Sequence, residues 1–160
     1  MNAYIDGCPV TERAGYQVET NAFWYDMLCF AIEMESKYGR KTSGFVEKWS
    51  PVRDMVAENY QKMFWMPDKG YLADYVDNNG QNTDVRPNQL FAVSLGAFDA
   101  RTPARRQALE RAVVRATARL VVPGGIRSLA ADDARYRGVY AGDEDTARKP
   151  AYHNGTVWSW

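Results

Sequence analysis

Cysteine and histidine are scarce in this chain: Cys8 and Cys29 are its only thiols and His153 its only imidazole. Two thiols cannot build a disulfide framework, and no Cys or His pair sits at metal-ligand spacing, so both thiols read as free and neither a metal nor another cofactor is expected. Net charge is missing as well. Twenty basic side chains balance twenty acidic ones, which leaves no basic field for nucleic acid or an anionic membrane. No apolar run approaches the roughly 20 residues that span a bilayer, and the first residues lack the basic and apolar regions of a secretory signal. A cytoplasmic setting and a small neutral partner are the expectations that remain.

The chain does hold a core in prospect, with 46% apolar and 13% aromatic residues in 160, a composition that excludes disorder. Residues 18–36 carry apolar side chains on nearly every side of a helix: Phe23, Met27, Phe30 and Met34 on one face, Trp24, Leu28 and Ile32 on another. Such a helix is predicted to be buried on both flanks. Val52, Val56, Tyr60 and Met63 repeat at helical spacing up to about Trp65, with two possible starts: Ser50 as cap and Pro51 in the first turn, or an earlier start near Gly44 with Pro51 as an interior kink. A short helix is predicted over about 89–95. The clearest helix opens at Thr102-Pro103, with Leu109, Val113, Ala116 and Leu120 inward and Arg111, Arg115 and Arg119 on a wet face.

Two long connections separate these helices. Residues 67–89 are rich in Asp, Asn and Gly, with an apolar-polar alternation from Tyr71 to Val76 that suits a short hairpin strand, and residues 126–157 have no sustained period. Loops this long in a compact domain are functional or disordered, and their aromatics favour function. The last ten residues, Ala151 to Trp160, combine aromatic planes with amide, hydroxyl and imidazole groups in one Gly-containing turn. Aromatic faces cover the C–H faces of a pyranose while Asn, His and Thr supply directional hydrogen bonds, so this turn reads as a sugar pocket. Its other reading is a satisfied core turn. An aromatic cluster at a chain end also suggests a polypeptide cut inside a larger fold.

The segments Pro9 to Arg13, Val18 to Tyr25, Arg86-Pro87-Asn88-Gln89, Gly125 to Leu129, Tyr140-Ala141-Gly142-Asp143 and Ala151 to Trp160, taken in order, resemble the C-terminal glucosidase domain of glycogen debranching enzymes. The resemblance implies an all-α fold: residues 1–160 as a single fragment, about half of a glucoamylase-like six-hairpin α/α toroid with long ligand-facing loops. It also implies hydrolysis of the α-1,6-linked glucose at a glycogen branch point by two carboxyl groups, with inversion. A non-catalytic carbohydrate-binding module and an inactive remnant stand as alternatives.

Many family members have Asp where this chain has Asn2, so the general acid is in question. Asp6 and Glu19 are the substitute candidates for the catalytic carboxylate, and the base is expected beyond Trp160. Glu19 has a second reading, stabilising a helix N-terminus. Substrate contact is assigned to Arg86, Asn88, Gln89, Arg127, Tyr152, His153, Asn154, Thr156 and Trp158. Arg86, Asn88 and Gln89 alternatively cap the following helix, and Arg127 alternatively pairs with Asp143. No metal ligand is expected. A cut ring would expose apolar flanks such as Trp24, Leu28 and Ile32, so self-association through helix faces is expected alongside the α-glucan partner.

Overall fold

The computed structural model describes residues 3–40, 42–98 and 103–159. Asn2, the cap position Thr102 and the terminal Trp160 lie outside the described residues.

Helix α1 runs over Val18–Tyr38 and α2 over Phe45–Phe64. No side chain caps the start of α1 at Gln17. Instead the Val18 N–H donates to Asp74 O at 3.1 Å, and Asn21 Nδ2 reaches back to Gln17 O at 2.8 Å. The second helix begins well before Ser50, after Gly44 at a left-handed φ of 67°, so Pro51 is interior and the start near Gly44 is the one that holds. Tyr60 Oη donates to Val18 O at 3.1 Å, which sets the end of α2 against the start of α1 and makes the two an antiparallel helical hairpin.

Burial on both flanks of α1 is corrected to burial on one. Leu28 and Ile32 are sealed with Val18 and Ala22, while Phe23, Met27 and Phe30 are 46%, 50% and 60% exposed. The outward stripe is therefore not the Trp24, Leu28 and Ile32 flank; only Trp24 of that set stays exposed. Phe23 packs one edge against Phe91, ring centroids 4.8 Å apart.

The all-α expectation is also corrected. Helices make up about half of the described residues, and short antiparallel ribbons connect them. Strands β1 (Tyr4–Ile5) and β2 (Cys8–Pro9) form a hairpin whose Asp6-Gly7 turn, with φ of 49° and 78°, is the two-residue primed type that Asp-Gly favours. Strand β3 (Tyr16–Gln17) pairs with β6 (Tyr75–Asp77), which pairs with β7 (Gly80–Gln81). Strands β4 (Trp65–Met66) and β5 (Tyr71–Leu72) pair with each other. The last sheet orders β8 (Val121–Val122), β9 (Gly125–Arg127) and β10 (Val157–Trp158), with β9 central. Segments this short leave no period to read. The described residues do not close a barrel.

The main core gathers Phe64, Leu72, Ala73 and Phe98 with Ala92 of α3 (Leu90–Ser94) and Leu109 and Val113 of α4 (Pro103–Thr117). Within it the Tyr60 ring packs tilted against Phe64, centroids 4.8 Å apart. Each fully buried Phe or Leu contributes about 1.5–3 kcal/mol. Of the predicted inner stripe, Leu109 and Val113 of α4 and Leu120 of the 3-10 turn that follows it (Ala118–Leu120) are buried and Ala116 is half-buried, and Arg111, Arg115 and Arg119 face water as expected. Among the described residues no helix is long and apolar enough to cross a membrane.

Candidate functional site

The segment before β3, the start of α1 and the two long connections meet at one place, and a chain of charges, buried at Asp74 and Arg86 and open to water at Arg135, joins them. Arg13, from the segment before β3, forks onto Asp74 with Nε to Oδ2 at 2.6 Å and Nη2 to Oδ1 at 3.1 Å. Its guanidinium also bonds both oxygens of Glu19, at 2.6 and 2.7 Å. On the far side of Asp74, Arg86 Nε lies 3.6 Å from Oδ2 and 3.2 Å from Asp84 Oδ2. Arg135 then reaches Asp84 at 2.5 Å and Asp133 at 2.8 Å. Arg13, Arg86 and Arg135 thus face Glu19, Asp74, Asp84 and Asp133, a formal excess of one negative charge.

Burial works on these groups in opposite senses. It pushes the Asp74 carboxyl above its ordinary value, with Arg13 and Arg86 pulling the other way. Burial disfavours the Arg13 charge too, but its bonds to Glu19 and Asp74 outweigh this and hold the guanidinium above its usual range. Asp133, nearer the rim, is lowered by the hydrogen bonds from Arg135.

Arg86 carries the network into the C-terminal turn. It donates to the carbonyl of His153, to Ser128 O at 3.3 Å and to Asn154 Oδ1 at 3.3 Å. From the N-terminal side Thr11 Oγ1 bonds Tyr152 O at 2.9 Å and Asn154 Oδ1 at 3.2 Å. His153 is held at φ 61°, a left-handed conformation that costs a non-glycine residue about 1–2 kcal/mol. Its ring lies flat on Trp158, centroids 5.0 Å apart and planes within 6°. Tyr152 meets both rings edge-on at 4.1 and 6.2 Å, and Tyr140 flanks it at 6.4 Å. The result is an aromatic plate with a buried arginine behind it.

The predicted site residues divide into two groups. Tyr152, His153 and Trp158 are half-buried and form the plate. Arg86, Gln89, Asn154 and Thr156 are buried and bonded to protein: Gln89 Oε1 accepts the Leu72 N–H at 3.1 Å, Asn154 Nδ2 donates to Pro150 O at 3.1 Å, and the Thr156 carbonyl accepts the Ser128 N–H at 3.0 Å. Asn88, half-buried, donates to Asp74 Oδ1 at 3.2 Å. Arg127 lies 5.8 Å over the Tyr136 ring. Its pairing with Asp143 is corrected: Asp143 instead accepts the Asp145 and Thr146 N–H groups, both at 3.0 Å, and caps the single π-helical turn Glu144–Arg148. Glu19 sits in the first turn of α1 against Arg13, and Asp6 sits at the exposed tip of the β1–β2 hairpin. Sequence reasoning missed Arg13, Asp74, Asp84 and Arg135 as site-forming residues. The one signal was Asp74 itself, an acid set directly after the apolar pair Leu72-Ala73.

A groove of about 320 Å³ opens beside the turn, walled by Pro9, Val10, Arg135, Arg137 and Asn154, at the lower end of small-molecule pockets (about 300–1,000 Å³). Among the described residues no cluster of three or more His, Cys, Asp or Glu is arranged to hold a metal ion.

His153 supplies a direct check. Burial, then the charge of Arg86, lowers its pKa, so its imidazole should titrate below about 6.5, the ordinary value. The folded state resists the proton, so the stabilisation it lends is complete above the unfolded value and is lost as pH falls from there through the folded one. With one histidine in the chain, the ring resonances in an NMR titration are unambiguous, and a midpoint at or above the ordinary value would contradict this placement.

A family model described as amylo-alpha-1,6-glucosidase matches residues 1–160. A glycogen debranching enzyme of Saccharomyces cerevisiae (strain ATCC 204508 / S288c) is similar, 26% identical over 185 aligned residues. The alignment takes in 96% of this chain and 12% of the yeast protein.

Proposed function

Because this chain belongs to the amylo-alpha-1,6-glucosidase family, a glycoside hydrolase family, we propose that its aromatic plate and the neighbouring groove bind the glucose of an α-glucan branch point. In this reading residues 1–160 are one part of a glucoamylase-like toroid of helical hairpins, of which α1 and α2 form one. An acid/base carboxylate pair roughly 6.5–9.5 Å apart would hydrolyse the α-1,6 bond with inversion, and Glu19 and Asp6 are the acids this chain offers to it. The observation that carries the proposal is the flat His153–Trp158 stack anchored by a buried arginine. An apolar ring face with hydrogen-bonding groups at its edges suits a pyranose. Tyr152, His153 and Trp158 touch the sugar; Arg86, Asn154 and Thr156 hold the turn that presents them and Arg127 borders it, while Gln89 braces the Arg86 carbonyl and Asn88 braces Asp74.

Calorimetric titration with maltotriose tests this. The wild-type chain should bind. His153→Gly keeps the left-handed backbone at no steric cost and removes the ring, so affinity should fall about tenfold, or 1.4 kcal/mol, while the relieved backbone strain offsets the lost ring contacts and keeps the variant folded at the titration temperature. Equal affinity in the two proteins, or no binding heat in the wild type, would reject the plate as a sugar platform.

One observation favours a second reading, carbohydrate binding without cleavage: both Glu19 oxygens are taken up by hydrogen bonds from Arg13, which turns the carboxyl group toward the protein and away from a glycosidic oxygen. Assay of glucose released from a branched limit dextrin separates the two readings.

A further inference from the structure

We infer that Asp74 is a positioning residue: one buried carboxylate that places the His153–Trp158 plate through Arg86 and Glu19 through Arg13, so that the C-terminal turn and the first turn of α1 keep a fixed relation. That the positioned groups serve an α-glucan rests on the function proposed above; the placement itself does not.

The Asp74 side chain is 1% exposed, and its polar atoms are shared among separate parts of the chain. Oδ1 accepts from Arg13 Nη2 and from Asn88 Nδ2, at 3.1 and 3.2 Å. Oδ2 accepts from Arg13 Nε at 2.6 Å and faces Arg86 Nε at 3.6 Å. The carbonyl takes the Val18 N–H that begins α1 and a second bond from Arg13, at 3.0 Å. Its own N–H donates to Asn82 O at 3.2 Å. Arg86, positioned in this way, grips the backbone of His153 at the residue held left-handed.

Two guanidinium groups this close repel one another unless an anion lies between them, and Asp74 is the anion both share. Without its charge Arg86 retains Asp84 as its nearest carboxylate and shifts toward it, away from the His153 carbonyl. Arg13 likewise retains Glu19 as its one carboxylate in the network, beside its bond to the carbonyl of residue 74. The groups are coupled because each guanidinium's position depends on the same two oxygens.

Native-state NMR of the single imidazole tests the coupling without any ligand. In the full chain, Asp74→Asn should move the His153 ring resonances toward those of an unstacked imidazole. A gentler variant covers the case in which Asp74→Asn fails to fold. Arg13→Lys keeps the positive charge and removes the guanidinium fork onto Asp74 and Glu19, and a Thr11→Val background removes the hydrogen bonds that join the N-terminal segment to Tyr152 and Asn154. In that background Arg13→Lys should still move the His153 resonances in the same direction, while Asp132→Asn, which removes an exposed charge paired with Arg119, should leave them in place. Unmoved resonances in folded Arg13→Lys would overturn the inference. Maltotriose titration of the same proteins reads the functional consequence, a loss of roughly two- to thirtyfold in affinity for a coupling of about 0.5–2 kcal/mol. Moved resonances with no binding even by wild type would leave Asp74 as the positioning residue and remove the glucan reading. Normal binding by every variant with fixed resonances would do the reverse.

Discussion

Arg86→Ala is expected to cost about 3–5 kcal/mol of folding stability, the range for removing one partner of a buried charge pair. Arg86 is 2% exposed, so water cannot replace the donors that Asp84, Asp74 and the carbonyls of Ser128 and His153 lose. Two effects contribute, a cavity where the side chain was and an unbalanced charge, and the charge term should dominate. The network already carries one excess negative charge, and the substitution makes it two. Arg86→Met separates the terms because it keeps most of the stem's volume and none of the charge; it should recover little. Urea unfolding measures both. A loss below about 1 kcal/mol, the value of an exposed pair, would mean that the network is reached by solvent. Domains have total stabilities of about 5–15 kcal/mol, so the predicted loss leaves this chain marginal.

Gly125→Ala should disable the plate from a different direction. A Cβ at position 125 would lie 2.2 Å from Trp158 O and 2.9 Å from Trp158 C. Both are backbone atoms of the paired strand, and they cannot swing away as a side-chain tip can. β9 and β10 must part, and β10 carries the indole on which His153 rests. Overpacking of this kind costs about 1–3 kcal/mol, and maltotriose binding should be lost with it. Gly124→Ala is the matched control. Its Cβ would meet nothing within 4 Å, so the only cost is its left-handed backbone, about 1–2 kcal/mol, and binding should survive. Equal binding by the two variants would refute the role given to the β9–β10 contact.

The helices were legible because their signal is local. The core stripe of α4 repeats over several turns, and Pro103 marks its start as the sequence predicts. For α2 the same reasoning left two starts open, since Pro51 suits a first turn; the interior position wins because Val46 and Trp49 already pack partly inside. The ribbons could not be read, two residues being too few to show an alternation. The aromatic turn was visible as composition, but the parallel His153–Trp158 faces need both the register that places Trp158 on β9 and the left-handed turn that places His153, and a sequence displays neither. Least legible was the charge network. Arg13 and Asp74 are 61 positions apart and Arg86 and His153 67, and nothing local to an arginine says which acid it meets.

Those separations bear on the order in which the molecule is made. Thr11 finds its acceptors 141 and 143 positions later. At ribosomal speeds of about 5–20 residues per second, that is a wait on the order of ten seconds after Thr11 has been translated. The α1–α2 hairpin can dock while the ribosome is still working. Through that interval Arg13 and Asp74 stand without Arg86's hold on the turn that carries His153, and the aromatic plate joins the network only once that turn has been translated.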